Sequence, residues 1–226
     1  MFRLWPRHLP DRVEVLAVHP PGRAHRLREA PLTCIEAMVD AALDDLAPFM
    51  DRPLALFGHS LGSVVAAEVA RRLQDEGRPA AHLFVSARPP RRETEAQIHT
   101  LSDEKFVAAM NRRYQGIPDE ILQHPDLLAL LLPSLRADLQ ALETFRPDPG
   151  RPKIACPVTV FGGALDRSVS RQDLESWREE TAGPCRIRVF PGDHFYIEPQ
   201  RANLVSEIVE TLRPLLDGPA KAAASL

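Results

Sequence analysis

Residues 54–73, LALFGHSLGSVVAAEVARRL, leave this chain few folds to choose from. A short apolar run at 54–57 enters Gly58-His59-Ser60-Leu61-Gly62, and 63–73 continues with Val64, Val65, Val69 and Leu73 at helical spacing. Strand, Gly-x-Ser-x-Gly turn and helix in that order make a nucleophile elbow. The turn is so tight that its serine takes a strained backbone conformation and raises its hydroxyl at the carboxyl end of a sheet. Gly58 and Gly62 are both expected where a Cβ would strike neighbouring backbone. The helix directly behind Ser60 brings free N–H groups and its positive dipole end to the same place.

The rest of the chain repeats the alternation of strand and helix. Residues 13–18 (VEVLAV), 82–86 (HLFVS), 158–161 and 186–190 read as strands. Residues 2–9 supply one or two helical turns. A capping box of Thr33 and Glu36 is expected to start a helix with Ile35, Met38, Val39, Ala42, Leu46 and Phe49 on one face. Further helices are predicted over 172–180 and 201–216, the latter with Leu204, Ile208, Leu212 and Leu215 as its stripe, and the Ala-rich tail 218–226 is expected to fray. Such alternation means a parallel sheet flanked by helices, an α/β fold, in one domain spanning 1–226. Residues 88–149 break the pattern: they hold no strand but several leucine-rich helical stretches. Ser102 caps one carrying Phe106, Val107 and Met110; Pro118 opens a second; His124-Pro125 opens a third, which Pro133 interrupts. Ligands of such sheets bind over the carboxyl ends of the strands, where this insertion departs. It is predicted to be a lid lining an apolar acyl pocket; the plainer alternative is a helical layer that thickens the core.

Composition excludes several classes. A chain of 226 residues with 44% hydrophobic and 26% charged residues is an ordinary globular one, and a net charge of −3 argues against nucleic acid as partner. The apolar run 127–132 is too short to span a bilayer, and the first ten residues lack the apolar segment of a signal peptide, so a cytoplasmic protein is expected. Cys34, Cys156 and Cys185 are scattered and odd in number, as in a reducing compartment.

An activated serine needs a base, and the base an orienting acid, in the chain order Ser, acid, His. Of the later histidines, His82 opens a strand, and His99 and His124 lie in the insertion. His194, in Phe190-Pro191-Gly192-Asp193-His194-Phe195, follows the last strand and can reach the top of the sheet. Asp166 occupies the matching loop after the penultimate strand. Asp173 is weaker, lying in the next helix, and Asp193 reads as a turn former. The expected site is Ser60 as nucleophile, His194 as base, Asp166 as the acid that fixes its tautomer, and the backbone N–H of Leu61 as one oxyanion donor. His59 is expected to pack under the elbow. No phosphate loop and no metal-ligand spacing occurs, so no cofactor and no metal are expected.

These residues resemble the type II (editing) thioesterases that accompany polyketide synthases and nonribosomal peptide synthetases, in the α/β-hydrolase superfamily. FRLWPRHLPDRVEVLAVHPPGR is similar to that family's first helix, following strand and turn; LALFGHSLGSVVAAEVARRL to its elbow; FGGALDRSVS to its acid loop; FPGDHFYI to its histidine loop. The resemblance implies the α/β-hydrolase fold and hydrolysis of acyl groups from the phosphopantetheine arm of acyl or peptidyl carrier proteins, which clears stalled assembly lines. It implies Ser60, Asp166 and His194 as nucleophile, acid and base; a monomer is expected, and charge and hydropathy argue against nucleic acid and membrane as partners. The sequence departs from the family at its start: members begin with a strand and a Gly-containing loop that lends a second oxyanion N–H, whereas Met1 here already stands at the helix. N-terminal strands are therefore expected to be missing, either through a start set too far downstream, the favoured reading, or because the protein is a shortened form. A small-molecule carboxylesterase or lactonase of the same fold, and an inactive carrier-binding remnant, stay open as alternatives. Carrier domains are acidic, and Arg71, Arg72, Arg78, Arg88, Arg91 and Arg92 could steer one by charge, the alternative being a solvated basic face.

Overall fold

The computed structural model describes residues 2–91, 97–114, 117 and 119–217. Arg92, Pro118 and the tail 218–226 lie outside them. Four strands, β1 (Ala55–His59), β2 (His82–Ser86), β3 (Val158–Gly163) and β4 (Cys185–Phe190), form one sheet in that order, every neighbouring pair parallel. Helix α1 (Ile35–Leu46) precedes β1, and α2 (Leu61–Asp75) follows it. Between β2 and β3 lie α3 (Asp103–Tyr114), α4 (Asp119–Leu122) and α5 (Pro125–Thr144). The short helices α6 (Arg171–Glu175) and α7 (Trp177–Glu180) precede β4, and α8 (Arg201–Leu216) closes the order.

The period of two in β2 and β3 sorts their side chains into two cores. Leu83, Val85, Val158 and Val160 point to one side, where they meet Ile35, Val39, Val64, Val69 and Leu73 of α1 and α2 and Trp177 of α7. Phe84 and Phe161 point to the other, where they meet Leu204, Val205, Ile208 and Leu212 of α8 and Trp5 of the N-terminal 3-10 helix Phe2–His8. Both central strands are buried along their whole length, and their polar members His82, Thr159 and Ser86 find hydrogen-bond partners inside the fold. The parallel α/β architecture with a helical segment between β2 and β3 is as the sequence implies.

Several expectations change; among them, Leu215 is exposed rather than part of the buried stripe of α8, and Phe49 falls in a 3-10 turn beyond the end of α1. Residues 13–18 form no strand: they take up no place in the sheet, of which β1 is an edge. Val15 and Leu16 pack against opposite cores, and Glu14 pairs with Arg52 at 2.8 Å. Apolar alternation earns a segment burial, but a strand exists only where a neighbour supplies the ladder. The capping box of Thr33 and Glu36 is not made. Cys34 stands at the N-cap with extended backbone and no side-chain cap bond. Pro133 does not interrupt its helix: α5 runs through it for 20 residues. A proline removes one donor, and burial of Ser134, Ala137, Leu139, Ala141 and Leu142 just beyond it outweighs that loss. The helix expected over 172–180 is two short ones, meeting at Ser176.

Candidate active site

The elbow is built by one close approach. A Cβ on Gly58 would lie 1.9 Å from the carbonyl oxygen of Gly62, so the last residues of β1 touch the first turn of α2 backbone to backbone. Gly62 differs from expectation, since a Cβ there meets nothing within 4 Å. Between them Ser60 takes φ 53° and ψ −119°, a conformation that costs a non-glycine residue roughly 1–3 kcal/mol and persists only where its surroundings enforce it. The enforcing contacts come from β2. The Ser60 amide donates to the carbonyl of Ser86 at 2.8 Å. The Ser63 hydroxyl accepts the Ser86 amide at 2.9 Å and lies 2.9 and 2.8 Å from the carbonyls of Gly58 and Ser86. The amide of Leu61 opens α2 and is one of those a helix leaves without an internal partner.

The other two loops meet over the same sheet edge. The Ala164 amide donates to Phe190 and that of Leu165 to Gly192, each at 2.8 Å. A Cβ on Gly163 would sit 2.2 Å from the carbonyl oxygen of Asp193, so the loops after β3 and β4 are pressed together as β1 and α2 are. His194 is carried by the second loop and is 4% exposed. Its Nε2 lies 3.1 Å from the Ser60 hydroxyl and its Nδ1 2.8 Å from Asp166 Oδ2. Asp166 Oδ1 accepts the amide and hydroxyl of Ser168 at 2.8 and 2.7 Å, while the Ser168 oxygen lies 3.2 Å from His194 Nδ1. Burial works against the Asp166 carboxylate, but the bonds from His194 and Ser168 outweigh it and hold its pKa below the usual value. The His194 ring is packed between His59 and Tyr114 of α3, with centroids 5.2 and 5.1 Å away, and Phe195 stands edge-on at 5.1 Å.

Ser60, Asp166, His194 and the Leu61 amide are thus brought together, from loops far apart in sequence. The other candidates are elsewhere. His82 Nε2 is 2.9 Å from the Thr159 hydroxyl, and burial lowers its pKa to about 4. His99 faces Glu143, and His124 is the N-cap of α5. Asp173 makes the capping box of α6 with Ser170, and Asp193 accepts the Phe195 amide at 2.8 Å, as turn formers do. His59 is buried beside the elbow, and burial, then the charge of His194, lowers its pKa to about 3. Two residues of the site escape sequence reasoning. Ser168 stands two places after Asp166, the spacing at which a carboxylate accepts an amide in an Asx turn, and that was its available signal. Tyr114 comes from the insertion, where nothing local marks it.

The arginines that the sequence groups together differ in exposure, and Arg92 lies outside the described residues. Arg71 and Arg88 are buried, and Arg71 lies among Glu68, Glu180 and Arg151. Arg72, Arg78 and Arg91 have acidic partners in Asp40, Glu76 and Glu180. No helix among the described residues is long and apolar enough to cross a membrane.

An imidazole 3.1 Å from a hydroxyl, steadied by a carboxylate at its far nitrogen, can take the hydroxyl proton and return it to a leaving group. Comparison with known proteins points to the same chemistry. The thioesterase domain family matches residues 1–215. The gramicidin S biosynthesis protein GrsT of Aneurinibacillus migulanus is 33% identical over 218 residues, 95% of this chain and 84% of that protein. The type II thioesterase BorB from the borrelidin biosynthetic cluster superposes with a TM-score of 0.82 at 36% identity, over 94% of this chain and 85% of its own. The RedJ thioesterase of the prodiginine pathway in Streptomyces coelicolor gives 0.84 at 37% identity, over 92% and 83%.

Proposed function

Since the chain belongs to the thioesterase family, we propose that it hydrolyses acyl groups held as thioesters on the phosphopantetheine arm of acyl or peptidyl carrier proteins in a biosynthetic assembly line. The observation that carries this reading is the unbroken line of contacts from Asp166 through His194 to Ser60.

In the first half-reaction His194 takes the Ser60 proton as the oxygen attacks the thioester carbonyl. The Leu61 amide, at the positive end of α2, donates to the oxyanion that forms. His194 then protonates the departing sulfur, leaving an acyl ester on Ser60. Water, deprotonated by His194, attacks that ester; as the bond to Ser60 breaks, His194 returns the proton to the Ser60 oxygen and the acid is released. Asp166 keeps the Nδ1 proton in place and stabilises the imidazolium in both halves, and Ser168 holds Asp166 in turn. No cofactor enters; the phosphopantetheine arm comes with the substrate. Helices α3 to α5 serve as a lid, bringing Tyr114 against His194 and so shielding the imidazole from solvent. Of the basic residues near α2, Arg71 is held in a buried ion pair with Glu180, which leaves Arg72, Arg78 and Arg91 on the surface to meet an acidic carrier.

The test is a comparison of substrates and a label. The protein should release acyl groups from an acyl-loaded carrier domain faster, per kcat/KM, than it cleaves aryl esters of the same acyl group. A fluorophosphonate should modify Ser60. A preference for the aryl esters would make this a general esterase; an unlabelled Ser60 would make it a non-catalytic binder.

A further inference from the structure

Ser86 ends β2, is fully buried, and is paired in register with His59 of β1. Its main chain and side chain make two separate connections. The carbonyl accepts the amide of Ser60 at 2.8 Å. The hydroxyl lies 2.6 Å from the Tyr196 hydroxyl and 2.8 Å from His59 Nδ1. Tyr196 is itself fully buried, two residues beyond His194, and its ring stacks on Phe190 of β4 at 5.7 Å. Gly192 carries φ +123°, and a Cβ there would come within 2.9 Å of the Tyr196 side chain, so the histidine loop is folded tightly around that ring.

Among the described residues the Ser86 hydroxyl is the shared partner of the Tyr196 hydroxyl and His59 Nδ1, while His59 Nε2 is buried without a hydrogen-bond partner, so the three groups form one short chain that ends on His59. Burial lowers the His59 pKa to about 3 and so keeps that ring neutral.

We infer that Ser86 is a positioning residue for the reaction: through its carbonyl it fixes the backbone of Ser60, and through Tyr196 it fixes the loop that carries His194. This rests on the reading of Ser60 and His194 above. The 3.1 Å between them spans two loops that share no backbone hydrogen bond described in the structure, and Ser86 is bonded to both. A displacement on the order of 1 Å at such a pair costs about 10²-fold in rate. Removing the hydroxyl also leaves a tyrosine O–H and a histidine nitrogen buried without partners.

The experiment uses Tyr196→Phe, which deletes one oxygen and opens no sizeable cavity, beside Ser86→Ala and the double variant. Both kcat and KM are measured on an acyl-carrier thioester, with kcat normalised to folded protein, and the rate of fluorophosphonate labelling of Ser60 is followed. Tyr196→Phe should lower kcat and the labelling rate together, about 10-fold or more, with KM within 2-fold. The double variant should be no slower than the slower single one, because both cut one chain of contacts. Ser86→Thr, which keeps the hydroxyl, should recover part of the loss relative to Ser86→Ala. A parent protein that is not labelled overturns the underlying reading of Ser60. A labelled parent, with Tyr196→Phe less stable but within 2-fold in kcat and labelling rate, overturns the role of Ser86 alone. If Ser86→Ala does not fold, Tyr196→Phe decides.

Discussion

A methyl group on Gly58 would lie 1.9 Å from the carbonyl oxygen of Gly62, yet a methyl group on Gly62 would touch nothing within 4 Å. The two glycines of the elbow therefore do different work. The first permits β1 and α2 to meet; the second occupies open space in the first turn of a helix.

Two substitutions separate these roles. Gly58→Ala must push the strand away from α2 and is expected to give insoluble or unfolded protein, since the contact atom is backbone and cannot swing aside. Gly62→Ala should fold normally, with its unfolding free energy unchanged or raised by up to about 1 kcal/mol, because alanine is the better helix former. Soluble expression and urea titration check both. A folded Gly58→Ala protein with parental labelling at Ser60 would contradict the account of the turn.

The two acidic residues near the penultimate strand offer a second contrast. Asp166→Asn keeps the shape of the side chain but presents an amide to His194 Nδ1, which favours the wrong tautomer. A loss of about 10³–10⁴ in kcat is expected with KM little changed. Asp173→Asn disturbs the α6 cap instead and should cost about 1 kcal/mol of stability or less while leaving kcat intact. Steady-state kinetics on one carrier thioester distinguishes them.

Much of this was legible because the signals are local. The glycines and the two adjoining apolar patterns mark the elbow within 20 residues. His194 and Asp166 are found by their places after particular strands, which fixes the sheet edge that they can reach. What was not legible depends on neighbours that sequence does not name. Residues 13–18 have the pattern of a strand but no place in the sheet. Pro133 looks like a break until the packing after it is known. Ser86 and Tyr196 are an ordinary strand end and an ordinary aromatic until the fold sets their hydroxyls 2.6 Å apart. Arg71 looks like one more surface arginine until it is found buried beside Glu180 at 2.6 Å.

Acid should weaken the fold well above the carboxylate range. His59 and His82 have folded pKa values lowered to about 3 and about 4, against about 6.5 in an unfolded chain. Below pH 6.5 the unfolded state binds protons that the folded state refuses, so stability falls as pH falls. Between pH 7 and pH 5 each such histidine costs about 2 kcal/mol, hence about 4 kcal/mol for the pair. Asp166, with its pKa lowered, is stabilising above the ordinary carboxylate pKa and adds its loss only at lower pH. Urea titrations at pH 7 and 5 measure the difference, and His82→Asn should halve it. An unchanged difference would mean that His82 accepts its proton inside the fold.

The helical segment between β2 and β3 is held at its base by one buried carboxylate. Glu143, on the last turn of α5 and 1% exposed, accepts the amides of Ile98 and His99 at 3.1 Å each and faces His99 Nδ1. Arg136, two turns earlier, reaches the carbonyls of His99 and Leu101 and the carboxylate of Asp103. Among the described residues, the stretch that leads into α3 is thus hydrogen-bonded to α5 through side chains of α5. Glu143→Ala leaves two buried amides without acceptors and should cost about 3 kcal/mol; Glu143→Gln keeps one acceptor oxygen and should cost about half as much. The loss should be local. In native-state hydrogen exchange the amides of 98–103 and of α3 should open more readily in Glu143→Gln, at denaturant concentrations where those of α8 are unaffected. Equal acceleration in α8 would show that Glu143 supports the whole domain, and would remove the view of this segment as a separately opening cover over His194.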